Sequence, residues 1–93
     1  MIIVTVKSKT KPEYTDHFFD EFQKIANIVR EEKGCLEYEL YQCGADNSEF
    51  FLFERWESKK YVEVHLKTNH MKEYLAKTES WFESKEVKIY EII

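Results

Sequence analysis

The spacing of hydrophobic positions changes repeatedly along this chain, and each change marks a new element. Ile2 to Lys7 is a run of mostly β-branched residues, which predicts a first strand. Pro12 follows Thr10 where prolines open helices, and Phe18, Phe22, Ile25, Ala26 and Val29 then recur three or four residues apart. This spacing predicts an amphipathic helix from about Glu13 to Glu32, closed by Gly34. From Cys35 to Cys43 the period falls to two, with Leu36, Tyr38 and Leu40 on one face and Glu37, Glu39 and Tyr41 on the other. Turn residues from Gly44 to Glu49 separate this strand from Phe50 to Trp56, so the two are expected to pair as an antiparallel hairpin. Within the second run Phe51, Phe53 and Arg55 face one way, and Phe50, Leu52, Glu54 and Trp56 the other. Ser58 suits the N-cap of a second helical region reaching Phe82. Its apolar positions keep a helical period only if the phase slips near Thr68 and Asn69, which predicts a short helix, a break and a longer helix. Val87 to Ile93 is expected to close the chain as a fourth strand.

The order β-α-β-β-α-β predicts an α+β, ferredoxin-like fold, in which the helices cover one face of a four-stranded antiparallel sheet. No repeat, linker or low-complexity stretch divides residues 1–93, so a single domain is expected. The uncovered sheet face still carries large side chains, and an apolar patch of that size marks an interaction surface. A homodimer formed through the sheet face is the simplest outcome.

Composition sharpens this picture. Aromatic residues make up 16% of the chain, enough for some to face a pocket or partner as well as the core. The net charge of −4 arises from acids and bases mixed along the sequence, with no footprint for nucleic acid or an anionic membrane. The N-terminal apolar run is too short for a signal peptide and no apolar stretch is long enough to span a bilayer, so a cytoplasmic protein is expected. Cys35 and Cys43 fall in one predicted strand, about 26 Å apart at ~3.3 Å per residue, well beyond the ~7 Å reach of a disulfide. Neither cysteine belongs to a CxxC pair, and no metal site is predicted.

His65 stands out chemically, because an imidazole gives or takes a proton at neutral pH and so suits deprotonation of a phenol or quinol. The alternative is a helix histidine bonded to a backbone group at a pocket rim. On a continuous helix His70 would lie roughly 140° around from it, which makes His70 a supporting or flanking residue. His17 lies off its helix's apolar stripe and is expected in solvent. Trp56, Phe53, Phe51, Tyr38 and Tyr61 are candidates for an apolar box around a planar ring, although Phe53 and Trp56 point to opposite sheet faces. Glu54 shares its face with Phe50, Leu52 and Trp56, and an acid there must be paired or protonated. Orienting a histidine and forming a structural ion pair are equally good accounts of it.

An acid and a glycine precede Cys35-Leu36-Glu37-Tyr38-Glu39-Leu40, an aromatic strand ends in Glu54-Arg55-Trp56, and His65 and His70 follow on the next helical region. In these motifs, and in length and element order, the chain resembles the antibiotic biosynthesis monooxygenase family over essentially all its residues. The resemblance implies a domain that pairs through its sheet into a dimeric α+β barrel. It also implies oxidation of a small aromatic or quinol-type substrate by dioxygen without a cofactor. His65 would then be the base, Glu54 its orienting acid, Trp56 and Tyr61 the walls, and Tyr38, Phe53 and His70 further substrate contacts. Relatives that degrade haem use an asparagine on the first strand, absent here, and an axial histidine whose position falls near Leu75. Haem is therefore disfavoured unless His65 or His70 substitutes. Two other readings fit the same cavity: a non-catalytic small-molecule binder or stress-response protein, and an isomerase acting on a polar carbonyl compound.

Overall fold

A computed structural model describes all residues 1–93. Strand β1, Ile2–Thr10, turns Ile2, Val4, Ser8 and Thr10 into the protein. Pro12 opens a single 3₁₀ turn that leads into helix α1, Thr15–Val29, whose buried residues include Phe18, Phe22, Ile25, Ala26 and Val29. The helix stops three residues short of Glu32, and the turn that follows is fastened by Arg30, whose Nε and Nη2 donate to the Tyr38 carbonyl at 3.1 and 2.8 Å.

Strands β2, Cys35–Gln42, and β3, Glu49–Trp56, form the expected hairpin. The register slips between Cys35 and Glu37, so β2 carries one extra residue there. That bulge alters the predicted Leu36/Tyr38/Leu40 face. Leu36 is turned out and 41% exposed, Cys35 packs against the core, and Tyr38 is buried.

The second helical region is two helices, α2, Lys59–Leu66, and α3, Asn69–Thr78. Thr68 makes the break, its Oγ1 accepting from the Met71 N–H at 3.3 Å and donating to the His65 carbonyl at 2.8 Å. A 3₁₀ turn at Glu79–Trp81 then leads into β4, Phe82–Glu91, which starts five residues before the expected Val87 and ends before Ile93. Its first half escapes the hydrophobic pattern because β4 is an edge strand, held by ladder bonds to β1 and with little apolar burial of its own.

The sheet order is β2-β3-β1-β4, antiparallel throughout, which completes the α+β, ferredoxin-like fold. The core forms on the sheet face that carries the helices. The other face carries Phe51, Phe53 and Arg55 of β3, opposite Tyr41 and Glu39 of β2 and Lys7, Thr5 and Ile3 of β1. No helix is long and apolar enough to cross a membrane.

Candidate functional site

Glu32 leaves α1 just before Gly34 and places its carboxylate beside the end of α2. His65, in the last turn of α2 and 2% exposed, puts Nδ1 at 3.0 and 2.9 Å from the two Glu32 oxygens. His70 brings Nε2 to 2.8 Å from the same carboxylate. A continuous helix would have held the two histidines on different sides. The Thr68 break turns α3 so that both converge on one acid.

An ionised carboxylate only accepts hydrogen bonds, so it selects the His65 tautomer with the proton on Nδ1. Nε2 then carries the lone pair and has no partner within the chain. Burial lowers the His65 pKa below 6.5, against an opposing pull from Glu32, so the ring is neutral at pH 7 and able to accept a proton.

His65 lines a cavity of about 330 Å³ between the helices and the sheet. Of its 19 lining residues 15 are hydrophobic; the others are Ser8, Glu54, His65 and Lys85. The cavity opens along the β4 edge, where Val87 and Ile89 line it yet stay more than half exposed. Tyr38 stacks on Phe22 with ring centroids 5.5 Å apart and meets His65 edge-on at 6.0 Å. Burial, followed by the nearby Glu54 charge, raises the Tyr38 phenol well above its ordinary value, leaving it a neutral hydrogen-bond donor.

Glu54 is buried on β3 and accepts a 3.0 Å bond from the Trp56 indole N–H. Desolvation raises its pKa to about 7, and the indole bond only partly offsets this. The acid on His65 is therefore Glu32, while Glu54 is bonded to Trp56. Trp56 is fully buried with its ring 4.7 Å from His65, so it backs the imidazole and does not line the cavity.

The remaining sequence candidates lie outside the cavity wall. Tyr61 covers Gly34 so closely that a Cβ there would come 2.2 Å from its ring. Phe53 is on the open sheet face, and His70 touches Glu32 from outside the cavity. His17 is exposed and packs edge-on against Trp81. Sequence reasoning missed Glu32, Ser8 and Lys85 as cavity or site residues. Glu32 belongs to a charged turn with no periodic signal, and Lys85 to the half of β4 that lacks apolar alternation. Only the acid-and-glycine motif before Cys35 pointed toward Glu32.

A family model described as antibiotic biosynthesis monooxygenase matches residues 1–77. Among curated proteins, "Probable quinol monooxygenase YgiN" of Escherichia coli is 33% identical over 84 residues, covering 80% of this chain and 81% of that protein. "Putative monooxygenase YcnE" of Bacillus subtilis is 29% identical over 77 residues, covering 83% and 81%. Among solved structures, Rv0793 of Mycobacterium tuberculosis superposes with a TM-score of 0.91 at 22% identity, covering 99% of this chain and 94% of that one. A conserved protein of Methanosarcina mazei gives 0.91 at 24% identity, with 96% and 89% covered. At those identities the superpositions establish the fold alone.

Proposed function

Because the chain belongs to the antibiotic biosynthesis monooxygenase family, we propose that it oxidises a small aromatic, quinol-type substrate with dioxygen and no bound cofactor, using His65 as the base. The observation that carries this reading is a neutral imidazole, held through Nδ1 by Glu32, on the wall of a cavity lined largely by apolar side chains.

In the proposed reaction the apolar wall holds the ring and keeps water away. His65 Nε2 takes the proton of a ring hydroxyl, and the Glu32 carboxylate stabilises the imidazolium that forms. The resulting anion is electron-rich and passes one electron to dioxygen. Transfer of a second electron, with two protons reaching the reduced oxygen, yields the quinone and hydrogen peroxide. With a ring methylene in place of the second hydroxyl, collapse of the radical pair forms a carbon–oxygen bond, and loss of water leaves a carbonyl. Trp56 fixes the far side of the imidazole, and Glu54 fixes Trp56.

The same reading includes a homodimer formed through the open sheet face. It is supported by Tyr41, Phe51 and Tyr90 there, each between 41% and 54% exposed. The test of the chemistry is oxygen uptake with 1,4-dihydroxynaphthalene, corrected for autoxidation. His65→Ala should lower kcat/KM by about 10²–10⁴, and Trp56→Phe should lower it less. Wild-type rates in both variants would overturn the assignment. The apolar lining also suits a non-catalytic binder, for which aromatic ligands would raise thermal stability without oxygen uptake.

A further inference from the structure

Ser8 and Lys85 face each other across the β1–β4 ladder, on the side of the sheet that carries the helices, and both line the cavity. Directly opposed residues of an antiparallel pair hold their Cβ atoms about 5 Å apart. A hydroxyl and an ammonium group therefore reach the same small volume. Ser8 is 5% exposed, and its hydroxyl makes no hydrogen bond within the chain although it is not sealed away from the cavity. The hydroxyl is thus reachable by solvent within the cavity and free to exchange a water for a ligand oxygen.

Lys85 is also without a salt-bridge partner, but it is exposed, on the β4 edge where the cavity opens. Its Nζ lies 5.2 Å from the Phe82 ring centroid and enters no salt bridge. Although the residue is exposed, partial desolvation against the cavity wall lowers its pKa from the ordinary lysine range, and Glu79 and Glu54 pull it back from a distance without bridging to it. Glu54 in turn lies opposite Val4, four residues along β1 from Ser8, or about 13 Å at ~3.3 Å per residue. The cavity thus has a cationic, hydroxyl-bearing end and an end holding Glu54 and His65, with apolar side chains between them.

We infer that Ser8 and Lys85 form a carboxylate subsite, and that the cavity selects an aromatic ring bearing an ionised acid group. Lys85 supplies the charge, and the Ser8 hydroxyl donates to one carboxylate oxygen. The ring then spans the apolar section, so that a hydroxyl on its far side approaches His65. The inference rests on the proposed oxidation for the fate of that hydroxyl, but not for capture of the acid.

The test compares the dissociation constants of 2-naphthoate and 2-naphthamide, which share a ring and differ in charge, by calorimetry near pH 7. The wild-type protein should bind the naphthoate about tenfold more tightly, as a charge-assisted hydrogen bond supplies. Lys85→Met should bring the ratio close to one, Lys85→Arg should restore it, and Ser8→Ala should reduce it in part. Because the readout is a ratio within each variant, a partly unfolded preparation does not distort it. A wild-type ratio near one, or a tenfold ratio surviving in Lys85→Met, would overturn the subsite. Oxygen uptake with 1,4-dihydroxynaphthalene and its 2-carboxylate separates the two proposals. Selective binding of the acid with no uptake from either compound would sink the oxidation and support the subsite. Uptake from both with equal KM would sink the subsite and support the oxidation.

Discussion

Glu32 and Glu54 lie near the same histidine but have different partners. Glu32 is bonded to two imidazoles, those of His65 and His70. Glu54 has only the Trp56 indole, too weak a donor to offset desolvation, so its carboxyl stays protonated up to about pH 7. An unfolded Glu54 titrates near 4.5 and the folded one near 7, so its contribution to stability is full below pH 4.5 and is lost as pH rises through 7. Glu54→Gln keeps an acceptor for the indole and never ionises. Relative to wild type it should gain up to about 3 kcal/mol between acid and alkaline pH, at about 1.4 kcal/mol per pH unit. Urea unfolding of both proteins at about pH 5 and pH 8 measures this, and parallel pH dependence would contradict it. At this scale His65 was legible from the sequence, since its chemistry is a property of the residue type. Its acid partner was not, because Glu54 and Glu32 differ only in what surrounds them.

Two short interruptions between elements set the site's geometry. The Thr68 break brings His70 round to Glu32, and the residues at Gly34 steer the chain from α1 into β2 beneath Tyr61. Gly34 has φ of +87°, and a Cβ on it would meet Tyr61 ring atoms at 2.2 to 2.6 Å. Gly34→Ala therefore combines a left-handed backbone penalty of about 1–2 kcal/mol with displacement of a packed ring. A loss of about 2 kcal/mol or more is expected, roughly 10 °C in Tm for a domain of this size. Thermal unfolding followed by circular dichroism checks it, and an unchanged Tm would show that the turn can relax. The element order and the phase slip near Thr68 were readable because burial imposes periodicity. The bulge at Cys35–Glu37 and the early start of β4 were not, since both depend on hydrogen-bond register with a neighbouring strand.

At the scale of the whole molecule, helices on one face leave the other face of the sheet to carry Phe51, Tyr41 and Phe53 among charged neighbours. If that face joins two copies, light scattering should give twice the chain mass for the wild type. Phe51→Glu should shift the population to monomer while leaving the far-ultraviolet circular dichroism unchanged, because Phe51 is 41% exposed and its cross-strand partners are Lys7 and Tyr41. A monomeric wild type would remove the proposed dimer. The candidate site lies on the opposite side of the sheet, between strands and helices.

The sequence by itself determined the layered α+β architecture, the apolar faces of α1 and β3, and the resemblance that led to the family. Those properties are carried by periodicity and by motifs that lie close together along the chain. Only the tertiary structure decided which acid serves which partner, and that Tyr61 packs on Gly34 while Ser8 and Lys85 share a cavity wall. Each of these depends on residues far apart in sequence meeting in a low-dielectric interior. There a few ångströms decide whether a carboxyl is charged, a histidine is neutral or a hydroxyl is left free to bind.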